Sequence, residues 1–124
     1  MRGISFWFFA TGTIYVLIGM LWGIHMGVSG DHTMMPAHAH LNLVGWVTMA
    51  LFGIYYHLTP KAADTLLAKI HFAVATLGLI VFVPGIALAN SQNNDLFAKI
   101  GSVITVVSML IFVFTVFKNR VKTA

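Results

Sequence analysis

Four long apolar runs constrain what this chain can become more than any other feature. They extend from about Ser5 to Gly27, Pro36 to Thr59, Thr65 to Ala89 and Leu96 to Phe117. A helix that crosses a bilayer needs about 20 largely apolar residues, and each run is that long. Backbone polar groups inside lipid must be satisfied within the structure itself, which favours helices. The expected fold is therefore an all-α membrane protein, with residues 1–124 forming a single domain of four transmembrane helices. Only 8% of the residues are charged, against about a quarter in a soluble domain, so a water-soluble alternative is not viable. Turn and cap chemistry separates the runs: Gly27, Ser29, Gly30 and Asp31 after the first, Pro60 after the second, and residues 90–95 after the third.

Charge placement predicts orientation. Arg2, Lys61, Lys69, Lys118, Arg120 and Lys122 fall at one end of the helices, and Lys99 alone falls at the other. The excess of basic residues marks the cytoplasmic side, so both termini are expected there, with the loops near residues 28–35 and 90–95 outside. The same placement argues against nucleic acid as the partner of the net +4 charge. The first run is longer than the apolar core of a secretory signal, and Gly27-Val28-Ser29-Gly30 matches a cleavage site poorly, so this run is expected to stay in the membrane. The three acidic residues are Asp31, Asp64 and Asp95, and none lies within a run. Asp64 and Asp95 are placed to accept free N–H groups at helix starts. No carboxylate is available for a proton relay in the membrane. The absence of cysteine removes disulfides, thiolate metal sites and covalent haem attachment.

The six histidines carry the functional signal: His25, His32, His38, His40, His57 and His71. The first four gather at the outer end. Ionisable groups at membrane depth are expensive and tend to be functional. His38 and His40 are two residues apart on a helix, so their side chains diverge by about 200°. One metal ion cannot take both from a regular helix, but two sites on opposite sides of it can. By helical spacing the His38 face continues through Asn42, Gly45, Met49 and Phe52, and the His40 face through Val44, Val47 and Leu51. Gly45 would admit a flat macrocycle to the backbone. The competing reading is structural: Pro36 suits a first helical turn, so both histidines can be shallow groups at the headgroups. His57, beside Tyr55, Tyr56 and Pro60, reads as part of an interfacial aromatic belt. His71, two residues after Lys69, also reads as interfacial.

From Ala37-His38-Ala39-His40-Leu41 through Tyr55-Tyr56-His57-Leu58-Thr59-Pro60 the chain resembles one helix of the catalytic subunit of haem–copper oxidases and nitric oxide reductases. In that family a His-x-His pair opens the helix on the outer side, and Gly and aromatic residues lead to a Pro at its inner end. The resemblance implies that His38 and His40 bind haem on opposite sides of the helix. It also implies a homotrimer, because three copies of four helices would mimic the twelve-helix family subunit, with a haem between neighbours. A bacterial-type inner (plasma) membrane is the location it implies.

The family's adjacent histidine pair for copper is missing here, and with two axial histidines no iron position stays open. The reading reached is thus a haem b protein with bis-histidine ligation, serving electron transfer or redox or gas sensing. His38 and His40 are the metal ligands, with His25, Asn42, Gly45, Trp46 and Trp22 around the cofactor. Three alternatives remain. A minimal oxidase or nitric oxide reductase would need an open iron position. Copper handling would use His32, Met34, Met35, His38 and His40, since thioether and imidazole suit Cu(I). A cofactor-free assembly subunit would use the close-packing pattern of Gly19, Gly23 and Gly27. The sequence identifies no redox partner and does not decide whether the protein is an enzyme.

Overall fold

The computed structural model describes residues 1–120; Lys122, counted above among the basic residues, lies outside them. The described residues form helices and connecting turns, with no strand among them. Four helices are long and apolar enough to cross a membrane: α1 (Gly3–Ser29), α2 (Met35–Leu58), α4 (Leu66–Gln92) and α5 (Leu96–Lys118). A single short turn of helix, α3 (Pro60–Ala63), joins α2 to α4.

Local chemistry sets the helix ends. Gly30 closes α1 in the left-handed conformation (φ +70°), and its N–H donates to the Met26 carbonyl. Pro36 sits in the first turn of α2, where a missing N–H costs nothing. The start of α4 departs from expectation. Thr65, not Asp64, is its cap, and the Thr65 hydroxyl accepts from the Ala68 N–H at 3.2 Å. The Asp64 N–H instead closes α3 onto the Pro60 carbonyl. At α5 the Asn94 side chain accepts from the Leu96 N–H, while Asp95 pairs with Lys99 at 3.1 Å one turn on. In both cases a neighbouring oxygen reaches the free N–H groups, and the carboxylate does not.

Lipid is as apolar as leucine, so helices associate in a membrane by close packing rather than by hydrophobic exclusion. Small residues provide that packing here. A Cβ on Gly53 would lie 2.9 Å from the Ser5 carbonyl oxygen and 3.0 Å from the Phe9 nitrogen, so α2 rests directly on the α1 backbone. Gly85 meets the backbone of Phe97 and Ala98, and Gly101 meets that of Phe82, which locks α4 to α5. The outer end of α2 also reaches α4. Gly19 and Gly23 of the close-packing pattern face α2, whereas Gly27 faces open space. Leu17, Met20, Leu21 and Ile24 on α1, and Val106, Leu110, Val113 and Phe117 on α5, are exposed, as a lipid-facing surface requires.

Residues Leu41–Thr48 of α2 are π-helical. The Thr48 hydroxyl donates to the Leu43 carbonyl, five residues back. Such segments are rare and concentrate at functional sites. This one begins immediately after the histidine pair.

Candidate functional site: two histidine centres

At the outer end, α2 carries His38 and His40 into contact with different helices. The His38 ring lies against α1, with Nε2 2.9 Å from the Gly19 carbonyl oxygen and 3.3 Å from the Asn42 amide nitrogen. A carbonyl only accepts, so Nε2 carries the hydrogen and Nδ1 the lone pair. Absent side chains on α1 create this niche: a Cβ on Gly23 would sit 3.2 Å from Nε2, and one on Gly19 would collide with the Asn42 side chain. Trp22 meets the ring edge-on at 6.1 Å. The His40 ring turns to α4, where it meets Phe82 edge-on at 5.1 Å. Its Nδ1 donates to the Pro36 carbonyl at 2.7 Å. That bond fixes the tautomer and leaves Nε2 with a free lone pair, as a metal-ligating histidine requires.

Gly45 is buried, and a Cβ there would meet Tyr15 Cβ at 3.1 Å and Leu79 Cδ2 at 3.3 Å. Its flat backbone is thus covered by α1 and α4. Trp46 packs on Phe9 at 5.8 Å. Trp22 joins Tyr15, Leu41, Leu79, Val83 and Pro84 around an apolar cleft of about 350 Å³ between α1 and α4. Val47 and Leu51, expected on the His40 face, are exposed. Along the His38 face, Asn42 reaches the His38 ring and Gly45, Met49 and Phe52 are buried. His25 and His32 are exposed. His32 Nδ1 pairs with the Gly30 carbonyl at 3.2 Å, and His25 shares a small outer hollow with Met26, Asp31 and Met34. Among the described residues, no three His, Asp or Glu side chains converge as a metal site.

The second centre lies at the other end of the bundle, inside it and not at the interface that the position of His71 beside Lys69 suggests. His71 is fully buried, and Tyr56 is 1% exposed. All four long helices meet at the His71 ring. Phe8 comes from α1 at 5.0 Å, Phe52 from α2 at 4.5 Å and Phe112 from α5 at 5.7 Å, while His71 itself belongs to α4. Tyr56 Oη lies 2.8 Å from His71 Nδ1. Nε2 is buried with no partner among the described residues. A signal for this burial was present. Ala68, His71, Ala75 and Gly78 recur at helical spacing, a small-residue stripe that faces the bundle. Lys69 lies about 200° around the helix from His71 and is exposed. His57 is exposed as a belt residue should be. It lines a cleft of about 350 Å³ with Arg2, Ser5, Tyr56 and Asp64.

Comparison with known proteins gives two curated relatives. A heme-copper oxidase subunit I+III from Aeropyrum pernix is 38% identical over 92 residues, which cover 70% of this chain and 11% of that protein. A cytochrome c oxidase subunit 1 homolog from Agrobacterium tumefaciens is 39% identical over 62 residues, 45% of this chain and 12% of that protein. The chain thus spans 11–12% of the length of these relatives. No family model matches it. No solved structure matches it. The chain is a small helical protein like subunit I of haem–copper oxidases, and an oxidase-related multi-pass membrane protein.

Proposed function

We propose that this protein binds haem b in the membrane through His38 and His40 and carries electrons or senses redox state. The observation that supports this reading most is the His40 ring. Its Nδ1 hydrogen is committed to the Pro36 carbonyl, and its Nε2 lone pair is free. The donor set fits an iron porphyrin in kind, because each imidazole commits one ring nitrogen to a backbone carbonyl and keeps the other for a metal, and Trp22, edge-on to His38, lines an apolar cleft. One chain does not offer both to a single iron, because the rings face α1 and α4 on opposite sides of α2.

The reading therefore includes a second copy, in which His40 of one subunit and His38 of its neighbour would together hold the haem, in a homotrimer. The two histidines are prepared alike but through opposite nitrogens: His40 keeps its lone pair on Nε2 and His38 on Nδ1, each with the other ring nitrogen committed to a backbone carbonyl. Bound haem supplies one-electron chemistry at a potential set by its axial ligands and burial. The chain's residues hold it, exclude water through Trp22, Tyr15 and Leu79, and keep His40 in its tautomer. Both termini lie in the cytoplasm of a bacterial-type cell in this reading. The names of the relatives favour haem, and also copper, as the family's cofactors.

The test is the optical spectrum of the protein purified in mild detergent, oxidised and then dithionite-reduced, with a pyridine haemochrome assay. A sharp reduced α-band at about one haem per chain is the expected result. It should be lost in His40→Ala and lost or broadened in His38→Ala. A colourless protein that stays colourless after haem is added refutes the reading. A haem-loaded monomer or dimer refutes the trimer.

A further inference from the structure

The haem reading makes no use of His71. This imidazole is fully buried among Phe8, Phe52 and Phe112, at the point where the four long helices meet. A phenylalanine would fill the same aromatic box with no polar atom to satisfy. Buried polar atoms nearly always have partners, yet His71 Nε2 has none among the described residues. Intramembrane ionisable residues mark functional sites by default.

Tyr56 connects this group to the outside. Its hydroxyl is 2.8 Å from His71 Nδ1. Tyr56 is also among the residues lining the inner-end cleft of about 350 Å³, with Arg2, His57 and Asp64. A cleft of that size and polarity holds water. The groups facing His71 from the other helices are uncharged: Phe8 from α1, Phe52 and Tyr56 from α2, and Phe112 from α5. The titratable neighbours of the pair are Tyr55, whose ring lies 5.8 Å from that of Tyr56, and those of the cleft.

We propose that Tyr56 and His71 form a buried proton-exchange pair, in which the Tyr56 hydroxyl passes protons between the inner-end cleft and the His71 imidazole. In the uptake step, His71 Nδ1 takes the phenol hydrogen as the phenol oxygen takes a proton from hydronium or a buffer acid in the cleft. One proton moves inward, the imidazole becomes imidazolium, the phenol is regenerated, and no electron moves. Release runs the same bonds in reverse. This gives the bundle a protonatable site without an intramembrane carboxylate. A second cavity, of about 170 Å³, begins at Phe52 and Ala75 and is lined by Thr48, Thr105 and Ser108. The pair stands between it and the cleft.

The experiment uses the full chain in nanodiscs with isotope-labelled histidine. Imidazole protonation is followed by infrared spectroscopy after a pH jump, and the signal missing from His71→Phe is assigned to His71. Wild-type His71 is expected to take up a proton on acidification. Tyr56→Phe should slow that uptake about tenfold or more, the effect of a small rise in barrier. Tyr55→Phe, whose hydroxyl has no bond to His71, should leave it unchanged. Equal rates in Tyr56→Phe and wild type overturn the proposal. So does a wild-type His71 that never protonates at any pH where the circular dichroism stays native. If Tyr56→Phe does not fold, deuterium exchange of the Tyr56 hydroxyl in the wild type decides: exchange within minutes supports the pair, and protection for hours overturns it. None of these readouts requires haem, so failure here leaves the haem reading standing, and the reverse holds.

Discussion

Removing the Tyr56 hydroxyl leaves a ring of almost the same shape and strips His71 of its hydrogen bond. Tyr56→Phe then holds an imidazole with both nitrogens unpartnered in an aromatic box, since Nε2 is already unpaired among the described residues. Leaving a buried polar atom unsatisfied costs about 1–3 kcal/mol, while hydrogen bonds measured inside membrane proteins average about 0.6 and reach about 1.7 kcal/mol. The expected loss is about 1.5 kcal/mol, close to a tenfold change in the unfolding equilibrium. His71→Phe removes the imidazole and its orphan nitrogen together. The Tyr56 hydroxyl it abandons still has the Thr115 side chain beside it. That variant should lose about 1 kcal/mol or less. The double variant replaces both partners by apolar rings and should be more stable than Tyr56→Phe alone, with a coupling of about 1 kcal/mol. The assay is reversible unfolding in mixed detergent and dodecyl sulfate, followed by circular dichroism. Losses that simply add, or a Tyr56→Phe protein as stable as the wild type, would refute the reasoning.

Packing gives a second expectation. Gly101→Ala brings a methyl against the Phe82 backbone nitrogen at 2.5 Å and Cβ at 2.7 Å, so α4 and α5 must separate. It should destabilise by about 1–3 kcal/mol in the same unfolding assay. Gly27→Ala, which meets open space, should stabilise by up to about 1 kcal/mol through helix propensity. Thr65→Ala removes the α4 cap and should cost about 1 kcal/mol, with faster amide exchange confined to the first turn of α4. In the outer loop, the Thr33 hydroxyl and then its N–H hold the Asp31 carboxyl below the usual carboxylate range. Asp31 therefore favours the folded loop above that range and ceases to do so as pH falls through its lowered value. Thr33→Ala should return the Asp31 carboxyl NMR titration toward the ordinary range.

The four helices were legible because length and apolarity act on the whole run and need no neighbour. Gly30 and Pro36 were legible as an end and a start because their backbone chemistry is local. The divergence of His38 and His40 followed from helical geometry alone. What was missed depended on tertiary context. Asp64 and Asp95 look like caps, but Thr65 and Asn94 have the shorter reach to the free N–H groups. His71 reads as interfacial from its place beside Lys69, but helical phase turns the two side chains apart. The stripe of Ala68, Ala75 and Gly78 placed it inside. The π-helical segment has no local signature in the sequence. Pro84 lies within α4 and removes one backbone donor, yet the helix continues through it to Gln92.

That π-helical segment makes α2 behave as two shafts joined by a coupling. The histidine-bearing end and the Tyr56 end turn about one axis, but the coupling, not the α-helical repeat, sets the angle between them. Deleting one residue within Leu41–Thr48 would advance one end against the other by about 100°. Keeping Tyr56 on His71 would then swing His38 away from α1, and keeping His38 on Gly19 would swing Tyr56 out of the bundle. The two centres of this protein are geared together through eight residues, and neither can be re-aimed without moving the other.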